Sequence, residues 1–384
     1  MSDPRAPLAG IVVLELGHSV AAPFAGQALA DLGADVVKVE KPSGDDARAW
    51  GPPFLDGTAA IFQALNRNKR SVVCELRDSA SRERLLRFIV ERTDVVLQNM
   101  RPGQVDELGL GAKDLLARKP ALVYCNVGAF GTRGPLADRP GYDPLMQAFG
   151  GIMSVTGEAG RPPVRVGPSI IDIGTGLWAV IGIIATLYRR RETGVGGVVD
   201  VSLFETAATW MSLSATQYLA SGSVPGKHGS GQAGIVPYRA YRTADGDLVV
   251  ATGNDALYGK LCAVLGHPEW VEDPRFRTNP DRVVNAGVLY ALIEPAMATR
   301  TTAQWIQTLD AAGVPCAPVQ DVKQMLEHEQ TRALGILQAV PGLSAPIIGL
   351  PVSFDGARPV PRSAPPALGE ATSTVLGTPA ITAA

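Results

Sequence analysis

Gly10-Ile-Val-Val-Leu-Glu-Leu-Gly17 is a run of β-branched and leucyl side chains closed by a glycine, the composition of a short buried strand. Pro23 to Leu32 then sets apolar and small residues at helical spacing, and Asp35-Val-Val-Lys-Val-Glu40 is a second strand of buried type. Parallel strands need a crossover, so strand, helix, strand in that order predicts a parallel sheet covered by helices. Working outward, the alternation continues. Ser71 to Glu75, Asp94 to Gln98 and Ala121 to Val127 read as strands, with helices over Ser81 to Arg92 and Ala112 to Arg118. A strongly apolar helix spans Leu177 to Arg190, Val198 to Ser202 is a further strand, and Phe204 to Ala220 is a helix leading out of this first domain.

Between Ser221 and Gly234 the chain is glycine-rich, which suits a linker or mobile loop. Tyr238 to Thr252 predicts a hairpin turning at Asp245-Gly246, and Asn254 to Thr308 carries helical segments, so a smaller α+β domain follows. Val314 to Val319 is a last strand-like run, and a Pro- and Ala-rich tail closes the chain. At 384 residues the chain exceeds one ordinary core, which agrees with two domains.

Composition narrows the function classes. A formal net charge of −2 gives no overall attraction to nucleic acid or to an anionic membrane. Small molecules are the expected partners. The first residues lack the apolar core of a signal peptide and no uninterrupted apolar run of membrane-spanning length is evident, so the expected compartment is cytoplasmic. The four cysteines are far apart without a CxxC pair, and the four histidines are equally scattered. Neither a disulfide framework nor a metal site is indicated.

Asp172 lies in Gly167-Pro-Ser-Ile-Ile-Asp-Ile-Gly-Thr-Gly176, between an apolar strand-like stretch and the long apolar helix. Two readings stand. The carboxylate caps backbone amides at the helix entry, or it is displayed to attack a thioester and form a mixed anhydride. Gly17-His-Ser-Val-Ala-Ala22 lacks the GxGxxG that a dinucleotide requires, although Glu40 ends the second strand where an acidic residue would hold a ribose. Arg67, Lys69 and Arg70 concentrate cations before a strand and suit either phosphate or a solvated loop. Asn99 follows a strand at its carboxyl end, where it suits an amide or purine edge, and Pro102-Gly103 marks a turn. Gly229-Ser-Gly-Gln-Ala-Gly234 is flexible enough to close over a reacting centre with amides free for an oxyanion.

In combination and in this order, Pro7 to Leu16, Ala30 to Pro42, Asn66 to Ser71, Asn99 to Gly103, Gly134 to Asp143 and Gly167 to Gly176 resemble the class III CoA-transferase (CaiB/BaiF) family over nearly the whole chain. The resemblance implies an interlocked homodimer whose larger domain is a Rossmann-like sheet. Its implied layout is a large CoA-binding domain over 1–205, a linker helix over 206–225, a small domain over 226–320 and a C-terminal segment over 321–384 that returns to the large domain. Asp172 is then the nucleophile, supported by Asp143. CoA contacts map onto His18, Ser19, Lys41, Cys74, Arg77, Asn99, Met100, Arg101, Arg139 and Tyr142, and the closing glycine loop onto Gly229, Ser230, Gly231 and Gln232.

The implied reaction moves CoA from an acyl-CoA, succinyl-CoA by family habit, to a small carboxylic acid. Coenzyme A is a substrate, and no tightly bound cofactor is implied. Glu107 departs from the pattern, standing where many relatives carry Arg, and a carboxylate cannot donate to phosphate. Gly128-Ala129-Phe130 stands where Ser-Gly-Phe is usual. The family also holds α-methylacyl-CoA racemases, which abstract a proton using a His at the position of Tyr142; tyrosine is a poor base at neutral pH. A racemase-like enzyme and a noncatalytic CoA-binding protein are the alternatives.

Overall fold

The computed structural model describes residues 6–377, so residues 1–5, where the sequence lacks the apolar core of a signal peptide, and the end of the Pro- and Ala-rich tail fall outside the described residues. Two compact units divide the chain. Among the described residues, the first takes 6–152, 165–216 and 329–377, and the second takes Met153–Val164 and Gln217–His328.

The first unit is built on six parallel strands: β1 (Val12–Leu16), β2 (Asp35–Glu40), β3 (Lys69–Val73), β4 (Val95–Gln98), β5 (Val123–Gly128) and β6 (Gly197–Ser202). Their order is β3-β2-β1-β4-β5-β6, that of a doubly wound sheet. Alternate side chains go to opposite faces. Val13, Val36, Val95, Val123 and Cys125 pack under α1 (Ala21–Asp31) and α4 (Ile170–Thr193). Leu14, Val37, Val72, Val96 and Tyr124 pack against Leu85 and Ile89 of α2 (Ser79–Arg92). Both faces are covered, which is why the strands carry runs of valine rather than clean alternation.

α4 begins at Ile170, so Asp172 lies inside its first turn rather than ahead of the helix. Gly174 and Gly176 hid this start, because glycine costs about 1 kcal/mol in a helix interior. Packing overrides that cost at Gly176, where a Cβ would sit 2.7 Å from the Ala21 carbonyl oxygen of α1. The longer helix also corrects the reading of no membrane-length apolar run: its 24 residues include a window of mean hydropathy 2.0, half of it buried.

The helix expected over Phe204 to Ala220 breaks at Met211, giving α5 (Leu203–Trp210) and a separate Ser212–Ser221. The stretch from 329 packs on the first unit: Thr372 Oγ1 accepts from the Val73 amide (2.9 Å), and Arg362 donates to the Ala30 carbonyl (2.8 Å). The second unit holds the antiparallel sheet β7 (Tyr238–Arg242), β8 (Asp247–Ala251) and β9 (Cys316–Pro318), ordered β9-β8-β7, with the hairpin at Asp245-Gly246. Its core gathers Tyr241, Leu248, Tyr258, Phe276 and Trp305.

Candidate active site

β1 is paired with β2 on one side and β4 on the other, so the chain leaves these neighbours in opposite directions. A doubly wound sheet opens a crevice at that reversal, at the carboxyl ends of its strands. A cavity of about 740 Å³ lies there, within the first unit. Its wall takes His18 and Ser19 after β1, Lys41 after β2, Cys74 and Arg77 after β3, and Asn99, Met100 and Arg101 after β4. Arg139, Tyr142 and Asp172 complete it. Ten candidate CoA contacts separated by up to 124 positions in sequence, His18 to Tyr142, thus line one cavity together with Asp172.

A neighbour takes the helix-entry amides that the capping reading gave to Asp172. Ser169, the N-cap of α4, offers no side-chain cap. Asp143, 2% exposed, does so instead: Oδ2 accepts from the amides of Ile171 (2.7 Å) and Asp172 (3.2 Å). Its Oδ1 accepts from Gln147 Nε2 (2.6 Å), and Gln147 Oε1 takes the Val166 amide (2.8 Å), which pins the approach to α4. Among the described residues nothing hydrogen-bonds the Asp172 carboxylate itself. Burial, and secondarily the nearby Asp143 charge, pushes its pKa up to about 7. An unpaired carboxylate poised at that value is a competent nucleophile or base.

Cations divide sharply. Arg67, 2% exposed, is held by Asp31; Lys69 lies 2.8 Å from Glu15 Oε2; Arg70 pairs with Asp35. The cluster read as a candidate phosphate site is therefore structural, each charge being paired with a carboxylate on β1, β2 or α1. Arg77, Arg101 and Arg139 are exposed on the cavity wall, and among the described residues their guanidinium groups have no ion pair. Lys41 is paired with Asp46 (2.6 Å).

Asn99 is also committed: Oδ1 accepts from the His18 amide (3.0 Å) and Nδ2 donates to the His18 carbonyl (2.9 Å), so it shapes the first turn instead of reading a base edge. Burial lifts the Cys74 thiol to about 11, leaving it neutral. Glu40, the would-be ribose ligand, is consumed by Arg48, Ser71 and the Asp45 amide. Glu107 stands on the cavity wall.

Gly229 to Gln232 belongs to the second unit. There the Gly229 amide donates to the Gly157 carbonyl (3.0 Å), the Gly231 amide to the His228 carbonyl (2.9 Å), and Ser230 Oγ accepts from the Ala240 amide (3.1 Å). In this conformation the Gly229 and Gly231 amides are not open to an oxyanion. Sequence reading missed Gln147, whose amide partner lies 19 positions away, and Asp45, whose cap of the Ala47 amide is local but whose reach to Ser19 is not.

Comparison with known proteins bears on this geometry. The family model CoA-transferase family III matches residues 8–372. The chain is 36% identical to a succinate–glutarate CoA-transferase of Agrobacterium fabrum over 98% of this chain and 96% of that protein. It is also 36% identical to an acetyl-CoA:oxalate CoA-transferase of Acetobacter aceti, over 92% and 91%. A crystal structure of a CaiB/BaiF family protein from Brucella suis superposes with a TM-score of 0.86 at 40% identity, covering 96% of this chain and 98% of the other. With a doubly wound sheet, a cavity at its reversal and matches along nearly its whole length, the chain is a CoA-transferase and belongs to CoA-transferase family III.

Proposed function

We propose that this enzyme transfers CoA from an acyl-CoA to a small carboxylic acid through covalent intermediates on Asp172. The observation that carries the reading is the unbonded Asp172 carboxylate on the cavity wall, with Asp143 taking over the helix-entry amides. An Asp172 oxygen attacks the thioester carbonyl and the C–S bond breaks, giving an aspartyl-acyl anhydride and CoA thiolate. The thiolate attacks the aspartyl carbonyl, releasing the donor carboxylate and leaving an aspartyl-CoA thioester. The acceptor carboxylate then repeats these steps in reverse. One thioester replaces another, so no ATP is needed.

Asp143 orients Asp172 through the α4 amides, and Arg77, Arg101 and Arg139 supply donors for CoA phosphates. Relatives named for succinate, glutarate and oxalate support succinyl-CoA or another short acyl-CoA as donor and a small dicarboxylate as acceptor. A homodimer is part of this proposal. It is supported by the bare apolar side chains of Leu177, Trp178, Ile181, Ile184 and Tyr188 on α4. A cytoplasmic setting is supported by the free thiols of Cys74, Cys125 and Cys262.

The test is chemical trapping. Enzyme mixed with succinyl-CoA and no acceptor, then quenched with borohydride or hydroxylamine, should carry the modification on the peptide containing Asp172. A label on another residue, or undiminished exchange by Asp172→Ala, defeats the mechanism.

A further inference from the structure

On the α1 side of the sheet, alternate positions of three strands carry Glu15, Lys38, Glu40, Lys69 and Ser71 where aliphatic residues would complete the core. Glu15 and Lys38 are 0% exposed. Gly26 of α1 makes the room, since a Cβ there would collide with Glu15 Oε2. Burying such ions is costly, and well-packed apolar residues often serve a core as well, so their contacts need an account.

The Lys38 ammonium donates to the Gly17 carbonyl (2.6 Å) and to Glu15 Oε1 (3.0 Å), and lies 2.9 Å from Asp45 Oδ2. Asp45 Oδ1 in turn accepts from the amides of Ser19 (3.3 Å) and Ala47 (3.0 Å). Ser19 sits at φ 68°, a left-handed conformation that side chains other than glycine adopt at a cost. One buried ammonium therefore joins the turn after β1 to the turn after β2. Gly17, Ser19 and Asp45 all line the cavity.

We propose that Lys38, acting through Asp45, is a positioning residue for the CoA substrate: it sets the spacing of the first two turns and holds Ser19 in its left-handed conformation. This rests on reading the cavity as the CoA site. Lys38 touches no substrate, so its loss acts on binding of the thioester and not on the acceptor acid. Lys38 and Asp45 form one link, so their effects do not multiply.

The experiment measures CoA dissociation constants by calorimetry, and KM for acyl-CoA and for acceptor, on Lys38→Met, Asp45→Asn and the double variant. The expected result is a tenfold or greater loss of CoA affinity in each single variant, no further loss in the double, and an acceptor KM within twofold of wild type. Arg67→Met, in an ion pair that lines no cavity wall, should leave CoA affinity within twofold. Asp45→Asn keeps the test alive if Lys38→Met does not fold. CoA affinity within twofold of wild type in Asp45→Asn, or equal losses toward CoA and acceptor, overturns the inference. Arg101→Ala and Arg139→Ala separate the two readings. If neither weakens CoA, the cavity assignment fails; if they weaken it and Asp45→Asn does not, only the role of Lys38 fails.

Discussion

The first unit handles charge in two ways. Beneath α1 and at its last turn, Glu15, Lys38, Lys69, Asp31 and Arg67 are buried and every ion has a counter-ion within about 3 Å. In the cavity at the sheet's end, Asp172, Arg77, Arg101 and Arg139 have no ion pair among the described residues. The same residue types are thus answered by the fold in one place and left unanswered in the other. Under the proposed function, the absence of an ion pair marks Asp172 and the three arginines off from the scaffold, whereas Lys41 on the same wall is already paired with Asp46.

The sharpest break of that contrast is removal of the unanswered carboxylate. Asp172→Ala should lower CoA exchange by more than about 10³-fold while the melting temperature holds or rises; steady-state rates and a thermal melt check both halves. Next in size, Arg67→Met strips the buried Asp31 of its ion pair and leaves it the Asn68 side-chain amide, which should cost about 3 kcal/mol of stability in urea denaturation.

Asp172→Asn probes the same contrast through pH. Folding raises the Asp172 pKa to about 7, so between about pH 4 and pH 7 the folded protein holds a proton that the unfolded chain has released. Wild-type stability is therefore lost as pH rises through that window, and the asparagine variant escapes the loss. Its advantage should be on the order of 2 kcal/mol at pH 8, allowing for partial solvent access, and should shrink toward pH 5. Melts at the two pH values decide it; an equal difference at both would mean the carboxylate is not strained by its site. Smallest, Arg101→Ala should raise KM for acyl-CoA about tenfold, near 1.4 kcal/mol, with kcat unchanged.

Much of the fold was legible in the sequence because a sheet buried on both faces forces valine runs separated by helical periods. Val12–Leu16 and Ala112–Arg118 were readable from residue type alone. Charge was not. Lys38 and Glu40 sit inside a strand that reads as buried, while Arg67, Lys69 and Arg70 read as either a phosphate site or a solvated loop. Only the sheet register shows that the second group reaches carboxylates on neighbouring elements. Asp172 was legible as a candidate, but its freedom was not, because the residue that relieves it of capping lies 29 positions earlier, on α3 (Asp143–Phe149).

The stretch beyond 329 bears on biosynthesis. Ala371 donates its amide to the Ser71 carbonyl, Gly369 donates to Ser71 Oγ, and Val73 donates to Thr372, all along β3 at the rim of the sheet. While the ribosome is still making the second unit, that rim has no such cover. The growing polypeptide carries a bare strand, a template for pairing with its neighbours on a polysome, until these last hydrogen bonds arrive.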